Sequence, residues 1–401
     1  MKGVRWLWTG LTLAAACALL SGCWDLTEVN RSALLTGVAV EPGKNGRHRV
    51  TFEVLNAAGA MPSQGQGSGV PTVLYTVEGN SIADTASRLN ENVERLMMPS
   101  HVRVIVIDER TARKGLNAFI DLVQRSRYVR EDVLLLIAKD VPASDMLQVL
   151  SPGGIYASWK IQSQVENFRK EWGGVPLSRL FDYTQAILVE GRDLTLGAIT
   201  VIGNVKANDK GRSFQSAIPQ SNVKIAGAAV FRDDRLIGYL SIYETRILNL
   251  IRGELEQTGV AFPLPNHEGH ASVRVNRAHT HVRVAMKNGL PYIRLRIEGE
   301  GQLNSLDADL PVHKVEGFQA LEQALSEYMR EQTLQMIGRV QRQYGVDVFG
   351  FGEHLYRHRY REFQPIRKEW NALFAKAKVE ASVKFVITGS ELKNRSIRKQ
   401  Q

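Results

Sequence analysis

The chain has 401 residues, 44% of them hydrophobic and 23% charged, the proportions of a globular protein rather than of a disordered or membrane-filling one. Its net charge of +10 falls to +8 once Lys2 and Arg5 leave with a signal segment, and this favours an anionic lipid surface. The basic residues are too dispersed to outline a nucleic-acid interface, and with two cysteines, Cys17 and Cys23, no disulfide framework is available.

Lys2 and Arg5 form a positive start, and Trp6 to Leu20 is an apolar run of secretory-signal length, shorter than the ~20 residues of a membrane span. Leu20-Ser21-Gly22-Cys23 then matches the lipobox of bacterial lipoproteins. The expectation is diacylglycerol on the Cys23 sulfur, cleavage before it, and a mature chain with no free thiol; an ordinary cleavage site beside a chance cysteine is the plainer alternative. Two or more acyl chains suffice for stable anchoring where one does not. No Ser/Gly-rich tether follows Cys23, which places the folded body close to the bilayer.

Residues 34–40, 49–56 and 72–79 read as strands, rich in Val, Thr and Leu between Gly, Pro and Asn. The Gly-rich stretch 59–71 reads as a loop, because it lacks the strand-before, helix-after setting of a phosphate cradle. Ser81 caps a helix predicted to run to about Met97. Val102–Ile107 and Val133–Ala138 are apolar runs of the kind buried on both faces of a sheet. A helix is expected at 111–126 between them, with others at 142–149, 155–171 and 177–188. This alternation argues for parallel pairing across helical crossovers.

A second unit is expected from residue 194, with strands at Leu194–Gly203, Lys224–Phe231 and Leu236–Leu240, and a short helix carrying Glu244-Thr245-Arg246. Strands resume at 271–276, 279–287 and 291–298, the last two joined by Asn288-Gly289, a strong hairpin signal. A long amphipathic helix from about His313 to Tyr344 ends at Gly345. A strand at Lys378–Thr388 closes the fold. The fold class expected is α/β (mixed α+β), with three consecutive domains, each a β-sheet packed with helices, the last holding the long helix. The boundaries are 1–22 for the signal, 23–193, 194–270 and 271–392 for the domains, and 393–401 for a basic tail.

Candidate chemistry is thin. His267, His270, His279 and His281 have the best metal-ligand spacing, but no cysteine or aspartate clusters beside them and the His-Glu-x-x-His pattern is absent. His354 and His358 stand four apart among arginines, which disfavours a cation. No Gly-x-Ser-x-Gly elbow is present. Neither catalytic residues nor a metal nor a soluble cofactor is expected.

Several stretches together resemble one family. Cys23-Trp24-Asp25-Leu26-Thr27-Glu28-Val29-Asn30 is similar to the mature start of the Ger(x)C lipoproteins, the C subunits of nutrient germinant receptors in endospore-forming bacteria. Gly227–Leu240 followed by Glu244-Thr245-Arg246, the run Asp347-Val348-Phe349-Gly350-Phe351-Gly352, and Trp370–Val379 with Thr388-Gly389 occur in that family's order. The chain departs from it at Ile247-Leu248-Asn249-Leu250 and at Glu353. The resemblance implies a non-enzymatic subunit in complex with integral-membrane A and B subunits, lipid-anchored on the outer face of the spore inner membrane, with no nucleic acid bound. Trp24, Asp25, Glu28, Asn30, Glu244, Thr245 and Arg246 are then expected at partner or inter-domain contacts. The competing reading is a solute-binding lipoprotein of a transporter.

Overall fold

The computed structural model describes residues 3, 6, 8, 10–12, 32–56, 70–126, 128–149, 155–206, 218–265, 268–308, 310, 312 and 314–390. Two sheets organise them.

The first is nine-stranded and is built from β1 (Ser32–Pro42), β2 (His48–Leu55), β3 (Thr72–Gly79), β4 (Leu96–Met98), β5 (Val104–Asp108), β6 (Leu134–Ala138), β7 (Thr195–Gly203), β8 (Ser221–Arg232) and β9 (Arg235–Leu240). Its order is β3-β2-β1-β5-β6-β7-β8-β9, with β4 pairing β1. The central pairs β1–β5, β5–β6 and β6–β7 are parallel, whereas both flanks are antiparallel meanders.

The continuous apolar runs of β5 and β6 follow from burial on both faces. Ile105, Ile107, Leu135 and Ile137 point into one core, against α1 (Ile82–Arg88), α2 (Glu109–Lys114) and α3 (Asn117–Arg125). Val104, Val106, Leu134 and Leu136 point into the other, against α4 (Ala143–Leu147) and α5 (Ala157–Trp172). Helix α6 (Leu180–Leu188) returns to the first side through Leu180 and Tyr183. The N-terminus of α5 receives a buried carboxylate: Glu53 accepts from Ala157 N (3.0 Å), Ser158 N (3.3 Å) and the Thr36 hydroxyl (2.8 Å). Burial raises the Glu53 pKa even so.

The second sheet has the order β10-β11-β12-β13, from β10 (Thr258–Pro263), β11 (His270–Lys287), β12 (Leu290–Leu306) and β13 (Lys378–Ser390). The Asn288-Gly289 hairpin joins β11 to β12, and β12 pairs β13 in parallel. One face is covered by α7 (Ile242–Arg252), α8 (Val315–Gln343), α9 (Phe351–His358), α10 (Tyr360–Phe363) and α11 (Trp370–Phe374). Helix α8 has 29 residues, which extend it about 43 Å. It buries Leu321, Leu325, Met329, Met336, Ile337 and Val340 on that face.

Three expectations are corrected. Three sheet-bearing units become two sheets: the segment from 194 builds none of its own, because β7 pairs with β6 and carries β8 and β9 onto the first sheet, while β10 joins the second. Ala229 and Phe231 fill the first sheet's core, and Ala228 and Val230 fill the core of the second, so β8 serves both. The helix expected to reach Met97 stops at Arg88 with a 3-10 turn at Leu89–Glu91, because Leu96–Met98 is taken as a strand by β1. The helix expected at 111–126 is two, broken at Gly115 (φ 120°), beside which the Asp234 carboxylate packs.

Candidate functional site at the junction of the two sheets

Helix α7 begins where β9 ends. Ser241 Oγ accepts from Glu244 N (3.3 Å) and a Glu244 carboxylate oxygen accepts from Ser241 N (2.9 Å), a reciprocal cap. Gly227 makes room for this turn. Its φ is 98°, and a Cβ there would sit 2.1 Å from the Leu240 carbonyl oxygen, a position open to glycine alone.

The polar side chains of α7 then leave for different elements. Glu244 pairs with Arg339 of α8. Burial alone would raise the Glu244 pKa, but the Arg339 and Ser241 bonds outweigh it and hold the carboxyl below its ordinary range. Thr245 is buried, its hydroxyl donating to the Ser241 carbonyl (2.8 Å). Arg246 lies two residues, or about 200°, around the helix from Glu244, and the two do not meet. It is buried, with Nη1 donating to Gly259 O of β10 (2.8 Å) and its guanidinium 4.8 Å from the Trp172 ring centroid and 5.7 Å from that of Tyr243. Burial pulls its pKa down, and the carbonyl and aromatic faces stand in for a carboxylate partner. Asn249 Nδ2 donates to Gly173 O (2.8 Å) and Val175 O (2.9 Å), just beyond α5, and Arg252 donates to Val348 O (2.9 Å).

The segment after α8 completes the junction. Asp347 is fully buried and its carboxylate gathers four N–H donors: Phe349 N (3.0 Å) and Gly350 N (3.0 Å) on Oδ1, Gly352 N (2.8 Å) and Trp370 Nε1 (2.9 Å) on Oδ2. Its backbone exchanges bonds with the residue entering β7. Asp193 N donates to Asp347 O (2.8 Å), and Asp347 N donates to Asp193 Oδ2 (2.9 Å). Burial pushes Asp347 up to about 7, with the Asp193 charge adding to it against the N–H bonds. Burial likewise raises Asp193 to about 6.

Beside this pair Glu353 N donates to Gly191 O (3.0 Å), and Arg192 lies 3.2 Å from the Glu353 carboxylate. The backbones touch: a Cβ on Gly191 would stand 2.4 Å from the Gly352 carbonyl carbon, and one on Gly352 would stand 2.4 Å from Trp370 Nε1. The run Asp347–Gly352 is therefore a folded clasp that receives residues 191–193, which lead into β7 of the first sheet.

Cys23, Trp24, Asp25, Glu28 and Asn30 lie outside the described residues, as does His267. Among the described residues no three His, Cys, Asp or Glu side chains form a metal-binding group. Sequence reasoning passed over Gly191, Asp193 and Arg339, and it quoted Asn249, Arg252 and Trp370 within longer runs without assigning them a contact. Only Asn249 carried a signal, as a polar residue inside the apolar run Ile247–Ile251.

Two family models match the chain. "Spore germination protein N-terminal domain" covers residues 25–201, and "Spore germination B3/ GerAC like, C-terminal" covers residues 226–391. The chain belongs to the Ger(x)C family of spore germination proteins. It is similar to spore germination protein KC of Bacillus subtilis (strain 168), 21% identical over 391 residues, 95% of each chain. It is also similar to spore germination protein GerQC of Bacillus cereus, 19% identical over 321 residues, 80% of this chain and 82% of the other. The crystal structure of the GerBC protein shares its fold, with a TM-score of 0.53 at 16% identity, over 88% of this chain and 97% of the other. Neither family description names an enzymatic activity.

For a Ger(x)C protein the boundary between the two matches is instructive. It falls between β7 and β8, inside the first sheet, so the C-terminal match supplies the last two strands of the N-terminal sheet. The two halves are interlocked by hydrogen-bonded strands as well as by the clasp.

Proposed function

We propose that this protein is the C subunit of a nutrient germinant receptor. In this reading it is an adaptor without catalysis, anchored by diacylglycerol on Cys23 to the outer face of the spore inner membrane and held in complex with integral-membrane A and B subunits. One observation favours it above the alternatives: the family-like motif residues turn inward instead of lining a cavity, Glu244 tying α7 to α8, while Arg246 stacks on Trp172 of α5 and Asp347 bonds Asp193 ahead of β7, so that the last two fix one sheet to the other. A rigid two-sheet body suits a part that transmits or supports an assembly. A solute-binding lipoprotein instead needs lobes that close about a hinge, and the strand exchange and buried clasp oppose such a motion.

Among the described residues no helix is long and apolar enough to cross a membrane. Attachment in this reading is through Cys23, whose expected modification is a mass increase readable on the native protein. The test is crosslinking and affinity capture of a tagged chain from native membranes. Recovery of two multi-pass subunits, lost or reduced in Cys23→Ala, supports the reading. Recovery alone, or with a transporter ATPase, would replace it by the solute-binding one.

A further inference from the structure

The second sheet has one face under the helices and one face bare. On the bare face the register sets Arg283 opposite Arg294 and His281 opposite Arg296, directly across the antiparallel pair. The like charges of Arg283 and Arg294 in that position repel and weaken the sheet. Glu298 relieves Arg296 (2.6 Å), whereas Glu300 is taken by Arg277 (3.8 Å) and Glu380, in register with Arg294 on β13, is taken by Lys378 (3.1 Å). Among the described residues no carboxylate stands within ion-pair distance of Arg283 or Arg294. Lys384, in register with Glu298, extends the charge onto β13.

Two open clefts of about 320 and 530 Å³ meet on this face and share Arg283 and Arg294. Helix α9 adds His354 and His358, stacked at 4.1 Å between ring centroids, and Arg359 to the rim of the first.

We infer that this bare face is a docking surface for the phosphate-bearing headgroups of an anionic lipid bilayer. Guanidinium forks match phosphate oxygens, and the facing Arg283 and Arg294, which no carboxylate relieves, are stabilised by anions from outside. The centre of a protein–protein interface is depleted of charge and enriched in aromatic residues. Here the centre is arginine; the aromatic ring beside it, Tyr292, is itself covered by Lys287 (3.7 Å) and Arg294 (5.7 Å), and the exposed apolar side chain Val386 lies toward the other end. A plane of cations meets a plane of headgroups without needing a shaped pocket. The inference rests on the membrane-tethered reading for the surface that the protein meets, and it implies that the lipid on Cys23 and this face act together on one bilayer.

The experiment uses the mature chain with Cys23→Ser, so that no acyl chain contributes, and cosedimentation with vesicles of phosphatidylglycerol and phosphatidylcholine against phosphatidylcholine alone. At an ionic strength of about 0.1 M the anionic vesicles should retain the protein, and added salt should release it. Combined Arg283→Gln, Arg294→Gln and Arg296→Gln should lower the partition coefficient about 100-fold, from about fivefold per basic residue. Arg95→Gln, Arg125→Gln and Arg130→Gln together should leave it unchanged. Ser382→Glu, which removes no side-chain packing, should weaken binding in the same direction. Equal binding to both vesicle types, or equal loss in the two triple variants, overturns the proposal. The native mass at Cys23 is measured separately, so a missing anchor and an inert face give different results.

Discussion

Replacing Asp347 by Asn tests the clasp most directly. Each carboxylate oxygen accepts two N–H bonds, and an amide keeps one oxygen while turning an NH2 group toward the other two donors. Two buried N–H groups then lose their acceptor, at about 1–3 kcal/mol each. Removing a buried carboxylate offsets part of this, since burial already raises its pKa to about 7. The expected net loss is about 2–4 kcal/mol, large against the ~5–15 kcal/mol that keep a domain folded. The assay is urea unfolding followed by circular dichroism and tryptophan fluorescence. The variant should also separate the two transitions, because the clasp couples the sheets and Trp370 donates to Asp347. A loss below about 1 kcal/mol with coincident transitions would refute the reasoning, showing that the N–H groups find other acceptors.

Three more outcomes follow from the same geometry. Gly352→Ala places a Cβ 2.4 Å from Trp370 Nε1 and 2.7 Å from Gly191 O, so it should cost about 1–3 kcal/mol through overpacking, read by urea unfolding; an unchanged midpoint would mean that residue 191 moves freely. Glu244→Ala loses both the helix cap and the Arg339 pair and should cost about 1–2 kcal/mol, whereas Glu244→Gln retains a capping side chain and should cost about half that; equal losses would assign the whole effect to the ion pair. Stability should fall as pH rises from about 4 through 6 to 7, because Asp193 (about 6) and Asp347 (about 7) bind protons more tightly folded than unfolded, so unfolding in that window releases protons. Burial and His358 hold the His354 pKa down, which acts in the opposite sense, so the contrast is drawn between wild type and Asp193→Asn by thermal melting, and parallel pH profiles in the two would dismiss the carboxyl contribution.

The order of strands and helices was legible because it rests on neighbouring side chains. The apolar blocks Val104–Ile107 and Leu134–Ala138, the Ser81 and Ser241 caps and the Asn288-Gly289 hairpin each carry their conformation locally. The family-like motifs were equally visible, but their purpose was not. Asp347 and Asp193 are 154 residues apart, and nothing near either one announces the other.

Sequence alone thus determined most of the helices and strands, though not β4 or β10, and which short runs matter. Only the tertiary structure decided that β7–β9 complete the first sheet instead of founding a third, since a strand's partner is chosen by crossover and register rather than by its own residues. The same is true of the two faces of the second sheet. Period-two alternation marks Ile293, Leu295 and Ile297 as one side and Arg294 and Arg296 as the other. That Arg283 arrives directly opposite Arg294 is a matter of hairpin register, fixed only when β11 and β12 are paired.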